Sequence, residues 1–125
     1  MKVCVTSTGD NLDSTVDPRF GRCAYFVIVD PETLEFKAIP NPSVEAPGGA
    51  GIQSAQLVAN EGAEVVVTGN VGPNAFQTLA SLGIKVYTGA EGSIREVVQQ
   101  YKDGKFKEMG GPSVPGHFGT GGKGR

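Results

Sequence analysis

The stretch EVVVTGNVGP, residues 64–73, decides the fold class of this 125-residue chain. Its three consecutive valines have no polar residue among them, which is typical of a strand covered on both faces. A glycine-containing turn follows and ends in Pro73, a residue that suits the first turn of a helix. The predicted helix runs to about Leu82. Because a buried strand followed directly by a helix is the unit of parallel sheets, this stretch predicts an α/β protein.

The same unit recurs on both sides of that stretch. Downstream, residues 84–88 have strand character, and Ser93 with Glu96 forms a capping box that opens a helix ending near Gly104. Upstream, a glycine-led helix over residues 48–60 precedes the valine strand. Strand and helix therefore alternate through the second half of the chain, which implies right-handed crossovers between parallel strands.

The first forty residues predict three strands instead. Residues 2–7 and 24–29 are apolar and rich in β-branched side chains, and residues 34–39 alternate between apolar and polar. Residues 30–33, Asp-Pro-Glu-Thr, form a turn that joins the last two strands into a hairpin. The alternating strand, which is predicted to start at Leu34, should lie at a sheet edge with one face exposed.

Together these elements predict a three-layer α/β sandwich. It consists of a five-stranded mixed sheet, in which the hairpin supplies one antiparallel strand, and of three helices. The folded domain is expected to span residues 1–107. Residues 108–125 are dominated by glycine and proline, cannot bury enough apolar surface to fold, and are predicted to form a disordered tail.

Composition narrows the class of protein. The formal net charge of −2 argues against a nucleic-acid-binding protein, which normally has a basic face. No apolar run is long enough to cross a membrane, and no leader segment is visible before the first strand. The strand register places Cys4 and Cys23 roughly 13 Å apart, too far for a disulfide. We therefore expect a cytoplasmic monomer with two free thiols.

The richest chemistry lies in the loop DPRFGRC, residues 17–23. It brings two guanidinium groups and one thiol together beside a glycine. Guanidinium groups bind anions, and a thiolate can ligate a soft metal or act as a nucleophile. We predict that this loop forms the centre of a binding site, with Cys23 as a metal ligand. The predicted binding residues of the loop are Arg19, Phe20, Gly21, Arg22 and Cys23.

Further binding residues are expected at the carboxyl edge of the sheet, where ligands of open α/β folds bind. Three helices are predicted to start there after glycine-containing turns, so their free N–H groups would face one crevice. Cys4 lies mid-strand and is expected in the core, whereas His117, the only histidine, is a second candidate metal ligand in the tail. The other predicted binding residues are Gly49, Gly51, Gly69, Asn70, Gly72 and Asn74.

Several catalytic chemistries lack their residues. The sequence has no Gly-x-x-x-x-Gly-Lys-Ser/Thr loop, no Cys-x-x-Cys pair, and no histidine in the predicted domain to act as a general base. A binding or carrier role is therefore favoured over catalysis. One alternative is an enzyme or sensor that binds a phosphorylated small molecule in the same crevice. A Mg²⁺ site at Asp10, Asp13 and Asp17 and a Mg²⁺-dependent nuclease are further alternatives, although the predicted strands carry almost no acidic residues.

Four segments, taken in order, resemble one known family. They are the N-terminal strand, the loop ending in DPRFGR at residues 17–22, the helix start GGAGI at residues 48–52, and VTGNVGPNAF at residues 67–76. Over residues 1–105 the chain is similar to the dinitrogenase iron–molybdenum cofactor biosynthesis family, which includes NifX- and NafY-type proteins and the C-terminal domain of NifB.

The resemblance implies an RNase H-like fold with strand order 3-2-1-4-5 and an antiparallel second strand. It also implies a non-catalytic protein that binds an iron–sulfur or molybdenum-containing cluster and exchanges it with donor and acceptor proteins. Such clusters are anionic and take thiolate ligands, which suits arginines beside a cysteine. This chain lacks the core histidine that some members use as a ligand, and its tail has only His117 where many small members carry several histidines.

Overall fold

The computed structural model of the chain describes residues 1–42 and 49–109. No helix within these ranges is long and apolar enough to cross a membrane. His117 and the rest of the predicted tail beyond residue 109 lie outside the described residues. The elements are β1 Val3–Ser7, β2 Tyr25–Val29, β3 Phe36–Pro40, α1 Ala50–Asn60, β4 Val65–Val67, α2 Pro73–Ser81, β5 Lys85–Tyr87 and α3 Ile94–Lys102.

The five strands form one mixed sheet in the order β3-β2-β1-β4-β5. Both β1 and β3 pair antiparallel with β2, whereas β4 pairs parallel with β1 and with β5. The register places Cys4 of β1 between Ile28 of β2 and Val66 of β4. This arrangement confirms the predicted mixed sheet. It also confirms the strand order and the antiparallel second strand that the family resemblance implies.

The three valines of β4 show why the sheet is covered on both faces. Val66 packs into a core that α1 and α2 cover, whereas Val65 and Val67 pack into a second core that α3 covers. All three are almost fully buried, because successive side chains of a strand point to opposite faces of the sheet. The predicted three-layer sandwich is therefore confirmed.

The hairpin between β2 and β3 differs from its prediction at the turn. Leu34 does not begin the strand but lies in the turn, with a φ of 64°, and donates its N–H to Asp30 O at 2.7 Å. Its side chain packs against the core beneath α3, which helps to offset this unfavourable backbone conformation. The strand then begins at Phe36, which is 44% exposed, and ends at Pro40 on the edge of the sheet.

The other edge of the sheet is covered by the end of the described chain. Glu108 forms an antiparallel bridge with Tyr87, and Met109 donates its N–H to Val86 O at 2.8 Å. Both residues belong to the segment predicted as tail, so this pairing extends the described fold to residue 109. Because the segment runs antiparallel to β5, it leads away from the carboxyl edge of the sheet.

Candidate functional site

The loop at residues 17–23 is fixed to the carboxyl ends of two neighbouring parallel strands. Asp17 donates its N–H to Thr6 O at 3.0 Å, and Thr6 Oγ1 donates to Asp17 O at 2.6 Å. The hydroxyls of Thr6 and Thr68, both fully buried, lie 2.7 Å apart. Because Thr6 belongs to β1 and Thr68 follows β4, the loop begins directly above the centre of the sheet.

A glycine lets the loop lie against the turn after β4. A Cβ added to Gly69 would come within 2.6 Å of Pro18 Cα, closer than real side chains approach a backbone atom. Asn70 donates its N–H to Pro18 O at 2.7 Å, and its carbonyl accepts the Phe20 N–H at 3.2 Å. Gly69, which was predicted as a binding residue, therefore has a packing role, because the absence of a side chain lets Pro18 lie against it.

Two more glycines bring the loop, α1 and α2 into contact. Gly21 has a φ of 98°, and a Cβ at this position would lie 3.1 Å from Gly51 Cα in the first turn of α1. A Cβ at Gly51 would in turn lie 2.9 Å from Ala75 Cβ in the first turn of α2. The starts of both helices therefore lie side by side under the second half of the loop.

The N–H groups in the first turns of α1 and α2 have no hydrogen-bond partner among the described residues. Gly49 precedes α1 with a φ of 74°, Gly72 precedes α2, and no side chain in residues 1–42 and 49–109 caps either helix start. The N–H groups of a first turn have no partner within their own helix, and the helix dipole places partial positive charge there. Two adjacent uncapped helix starts form a local concentration of hydrogen-bond donors suited to an anion.

The start of the third helix does not join those of α1 and α2, so the predicted convergence of three helix starts is wrong for α3. Its cap, Ser93, accepts the Glu96 N–H at 3.1 Å, and Glu96 Oε1 accepts the Ser93 N–H at 3.0 Å. Ile94 and Arg95 donate their N–H groups to carbonyls of residues 14 and 12. The helix also packs on the opposite face of the sheet from α1 and α2.

An aspartate orients one of the two arginines. Arg19 donates from Nε to Asp17 Oδ1 and from Nη2 to Asp17 Oδ2, both at 3.1 Å. The Arg19 side chain is 65% exposed, whereas that of Asp17 is 5% exposed. The hydrogen bonds that Asp17 accepts from Arg19, together with the negative charge of Asp17, raise the pKa of Arg19. Arg22 is half-buried, and its N–H closes a turn to Arg19 O at 3.1 Å.

The other two side chains predicted to bind a ligand from this loop are buried in the core. The Phe20 ring packs 5.9 Å from that of Phe26. Cys23 has no exposed surface, and burial raises its pKa to about 12, although backbone N–H groups of Gly21 and Ser7 oppose this shift. Burial also raises the pKa of Cys4, the other free thiol. At neutral pH Cys23 is therefore a neutral thiol beneath the loop.

A comparison with known protein families identifies the family of this chain. The sequence profile of the family described as dinitrogenase iron-molybdenum cofactor matches residues 1–104. The chain belongs to this family. The resemblance inferred from four sequence segments is thereby confirmed.

This family member is similar to two proteins of known structure and to one further protein by sequence. The apo form of the orange protein from Desulfovibrio gigas is 43% identical, with a TM-score of 0.87 over 90% of this chain and 96% of that one. The NMR structure of a candidate NifB protein of the DUF35 family from Thermotoga is 33% identical, with a TM-score of 0.79 over 92% and 98% of the two chains. The uncharacterized protein MJ0580 of Methanocaldococcus jannaschii is 35% identical over 78% of this chain and 85% of that protein.

The remaining predicted site residues of this family member lie just before α2 and in its first turn. The side chains of Asn70 and Asn74 are exposed. Gly72 has a φ of −78°, which any residue can adopt, and no described atom lies within 4 Å of where its Cβ would be. Neither packing nor backbone conformation within the described residues therefore requires glycine at position 72. No cluster of three or more histidine, cysteine or acidic side chains that could hold a metal ion occurs in residues 1–42 and 49–109.

Sequence reasoning missed one residue that shapes the site. Asn41, which is almost fully buried, donates from Nδ2 to Gly21 O at 3.0 Å and to Cys23 O at 2.9 Å. It lies between two prolines in a segment predicted only as a loop. Nothing in that local pattern indicates a partner about twenty residues away.

Proposed function

We propose that this protein carries an anionic iron–sulfur or molybdenum–sulfur cluster as cargo during metal-cofactor assembly. The observation that carries the proposal is the chain of contacts from Gly21 to Gly51 and from Gly51 to Ala75. These contacts bring a loop with two arginines onto two adjacent helix starts that no described side chain caps. Membership of a family named for the iron–molybdenum cofactor indicates which anion to consider.

The donor set fits a metal–sulfur anion held by charge and hydrogen bonds. Guanidinium N–H groups and backbone N–H groups can donate to the sulfides of such a cluster, and charge-assisted hydrogen bonds are the stronger kind. Cys23 can add a metal–thiolate bond only if the loop opens and the thiol loses its proton, because it is buried and neutral. The proposed contact residues are Arg19, Arg22, Gly49, Gly51, Asn70, Gly72 and Asn74.

A cargo held mainly by charge and hydrogen bonds suits transfer. Such contacts break more readily than a set of metal–thiolate bonds, so donor and acceptor proteins could load and unload the site. We propose that the protein is not an enzyme, that it acts in the cytoplasm, and that it binds its partners transiently as a monomer. The similar structure from Desulfovibrio gigas is the apo form of an orange protein, a description that fits a protein with a coloured and removable ligand.

The test is an anaerobic titration of the purified protein with tetrathiomolybdate, followed by visible absorption and metal analysis of the desalted protein. Molybdate is the matched control, because it is also a tetrahedral dianion but has oxygen in place of sulfur. A second sample receives iron and sulfide. We expect retained colour and metal with the sulfur-containing species and much weaker binding of molybdate. If the protein stably takes up neither tetrathiomolybdate nor an iron–sulfur species, the proposal is contradicted.

The same titration decides between cargo and phosphate binding. If inorganic phosphate or nucleotides stabilise the protein against thermal unfolding and tetrathiomolybdate does not, the phosphate-binding alternative replaces the carrier. Variants Cys23→Ser and His117→Ala test the two predicted metal ligands. Unchanged uptake in either variant removes that residue from the ligand set and leaves the charge-based site in place.

A further inference from the structure

The second half of the loop at residues 17–23 is held from inside by Asn41. Its Nδ2 donates to Gly21 O at 3.0 Å and to Cys23 O at 2.9 Å, and its backbone N–H donates to Ala24 O at 2.9 Å. We propose that Asn41 is a positioning residue of the site: it turns two carbonyl oxygens away from the anion and keeps the loop closed over Cys23. The part that concerns the anion rests on the proposed function.

The two halves of the loop have different anchors. The first half is bonded to the sheet through Thr6 and to the turn after β4 through Asn70. The second half contains the glycine with a φ of 98° and the turn between Arg19 and Arg22. The Asn41 side chain links this half to the end of β3 through two hydrogen bonds, and its backbone N–H bonds the residue that follows the loop, Ala24. Loss of its side chain should therefore loosen the second half more than the first.

The direction of the two carbonyl groups matters for an anion. A carbonyl oxygen carries partial negative charge and would repel a cluster sulfide if it faced the crevice. Because the oxygens of Gly21 and Cys23 accept hydrogen bonds from a buried amide, they point into the fold. A buried acceptor that loses its donor tends to turn toward water or another donor, since an unsatisfied buried polar group is costly. Without Asn41, these oxygens are free to turn outward.

The two thiols provide a built-in comparison for the closure of the loop. Cys23 is enclosed beneath the loop, whereas Cys4 is enclosed in the middle of β1, and both contribute to the core beneath α1 and α2. A local opening of the loop exposes only Cys23. Global unfolding exposes both thiols. The ratio of their reaction rates with a small thiol reagent therefore separates a positioning role from a general loss of stability.

The experiment measures labelling of each thiol by methyl methanethiosulfonate, with peptide mass spectrometry to separate the two sites. In Asn41→Ala the labelling rate of Cys23 should rise by about tenfold, equivalent to roughly 1.4 kcal/mol in the opening equilibrium, while that of Cys4 changes by less than about twofold. The control is Asn11→Ala, because Asn11 is an exposed asparagine whose Oδ1 accepts the Asp13 N–H at 2.9 Å. Neither rate should change in this control.

Two outcomes overturn the positioning role: an equal rise at both thiols, which means general destabilisation, or no rise at Cys23. If Asn41→Ala does not fold, Asn41→Ser keeps one donor and should show a smaller rise that is still selective for Cys23. A parallel titration should show tetrathiomolybdate binding about tenfold weaker in Asn41→Ala. If the wild-type protein binds and the variant binds equally well, the anion-facing role is wrong and the proposed function stands. If the wild-type protein does not bind, the proposed function fails, and labelling alone decides the closure of the loop.

Discussion

The starts of α2 and α3 have nearly the same backbone conformation and opposite chemistry. Gly72 precedes α2 with φ −78° and ψ 172°, and Ser93 precedes α3 with φ −78° and ψ 157°. Ser93 and Glu96 satisfy each other's N–H groups, whereas no side chain in the described part of the chain caps α2. One helix start is completed within the fold. The N–H groups of the other have no side-chain cap among the described residues and lie beside a loop with two arginines, where we propose that the ligand binds.

The largest expected effect comes from removing the charges beside the uncapped helix starts. In a variant with Arg19→Gln and Arg22→Gln, tetrathiomolybdate affinity should fall by about 100-fold or more, because each hydrogen bond to a charged group contributes roughly 1.5–3 kcal/mol. Arg95→Gln combined with Lys102→Gln is the matched control, since it removes two positive charges from α3, where Arg95 pairs with Asp13 at 3.4 Å. Isothermal titration of all three proteins checks the prediction. An equal loss in the control would mean that the fall reflects overall charge and not the site.

The second effect separates the two glycines that flank the turn before α2. Gly69→Ala should destabilise the fold by about 2–4 kcal/mol, because its Cβ would lie 2.6 Å from Pro18 Cα and force the backbone to shift. Gly72→Ala should cost about 1 kcal/mol or less, because its φ is ordinary and no described atom lies near its Cβ, so that only the poorer capping by alanine contributes. Urea unfolding of both variants measures the difference. Equal losses would contradict the distinction between a packing glycine and an open one.

How far the sequence predicts the molecule depends on the range of each interaction. The buried valines of β4, the proline that starts α2 and the Ser93–Glu96 cap are local patterns, and all appear as predicted. The burial of Cys23 and its link to Asn41 depend on how residues far apart in the chain pack together. No local pattern contains that information. The sequence therefore predicted the sheet and the loop, but not which loop side chains face inward.

The third prediction concerns a variant that gives α2 a serine N-cap like that of α3. Gly72→Ser should add an N-cap, raise the free energy of unfolding by a few tenths of a kcal/mol, and lower tetrathiomolybdate affinity by about threefold to tenfold, because the new hydroxyl takes a donor from the anion. Gly72→Ala is the control, since it adds a side chain without an acceptor. Urea unfolding and tetrathiomolybdate binding, measured on the same samples, test whether the gain in stability accompanies a loss of affinity. A serine that changes neither quantity relative to alanine would indicate that the donors of α2 are not available.

The smallest expected change in tetrathiomolybdate affinity is for a variant at the start of α3, which is capped by Ser93. Ser93→Ala should lower the free energy of unfolding by about 1 kcal/mol through loss of the cap, with tetrathiomolybdate affinity unchanged within about twofold.

Hydrogen bonds from Ser93 lower the pKa of Glu96 below its ordinary value of 4.5. The stability that this carboxylate contributes is therefore present above pH 4.5 and is lost as the pH falls through the lower folded pKa. The difference between wild type and variant should shrink over that acid range, and a difference that grows would contradict the assigned cap.

The proposed binding site is tested most directly by an ¹⁵N NMR titration of the wild-type protein with tetrathiomolybdate under anaerobic conditions. If the anion binds at the starts of α1 and α2, the largest amide shifts should occur in their first turns, at residues 50–52 and 74–75, and in the loop at residues 19–22. The amides at the start of α3, residues 94–96, should move little. Shifts that are as large at residues 94–96, or that leave the first turns of α1 and α2 unchanged, would contradict this binding site.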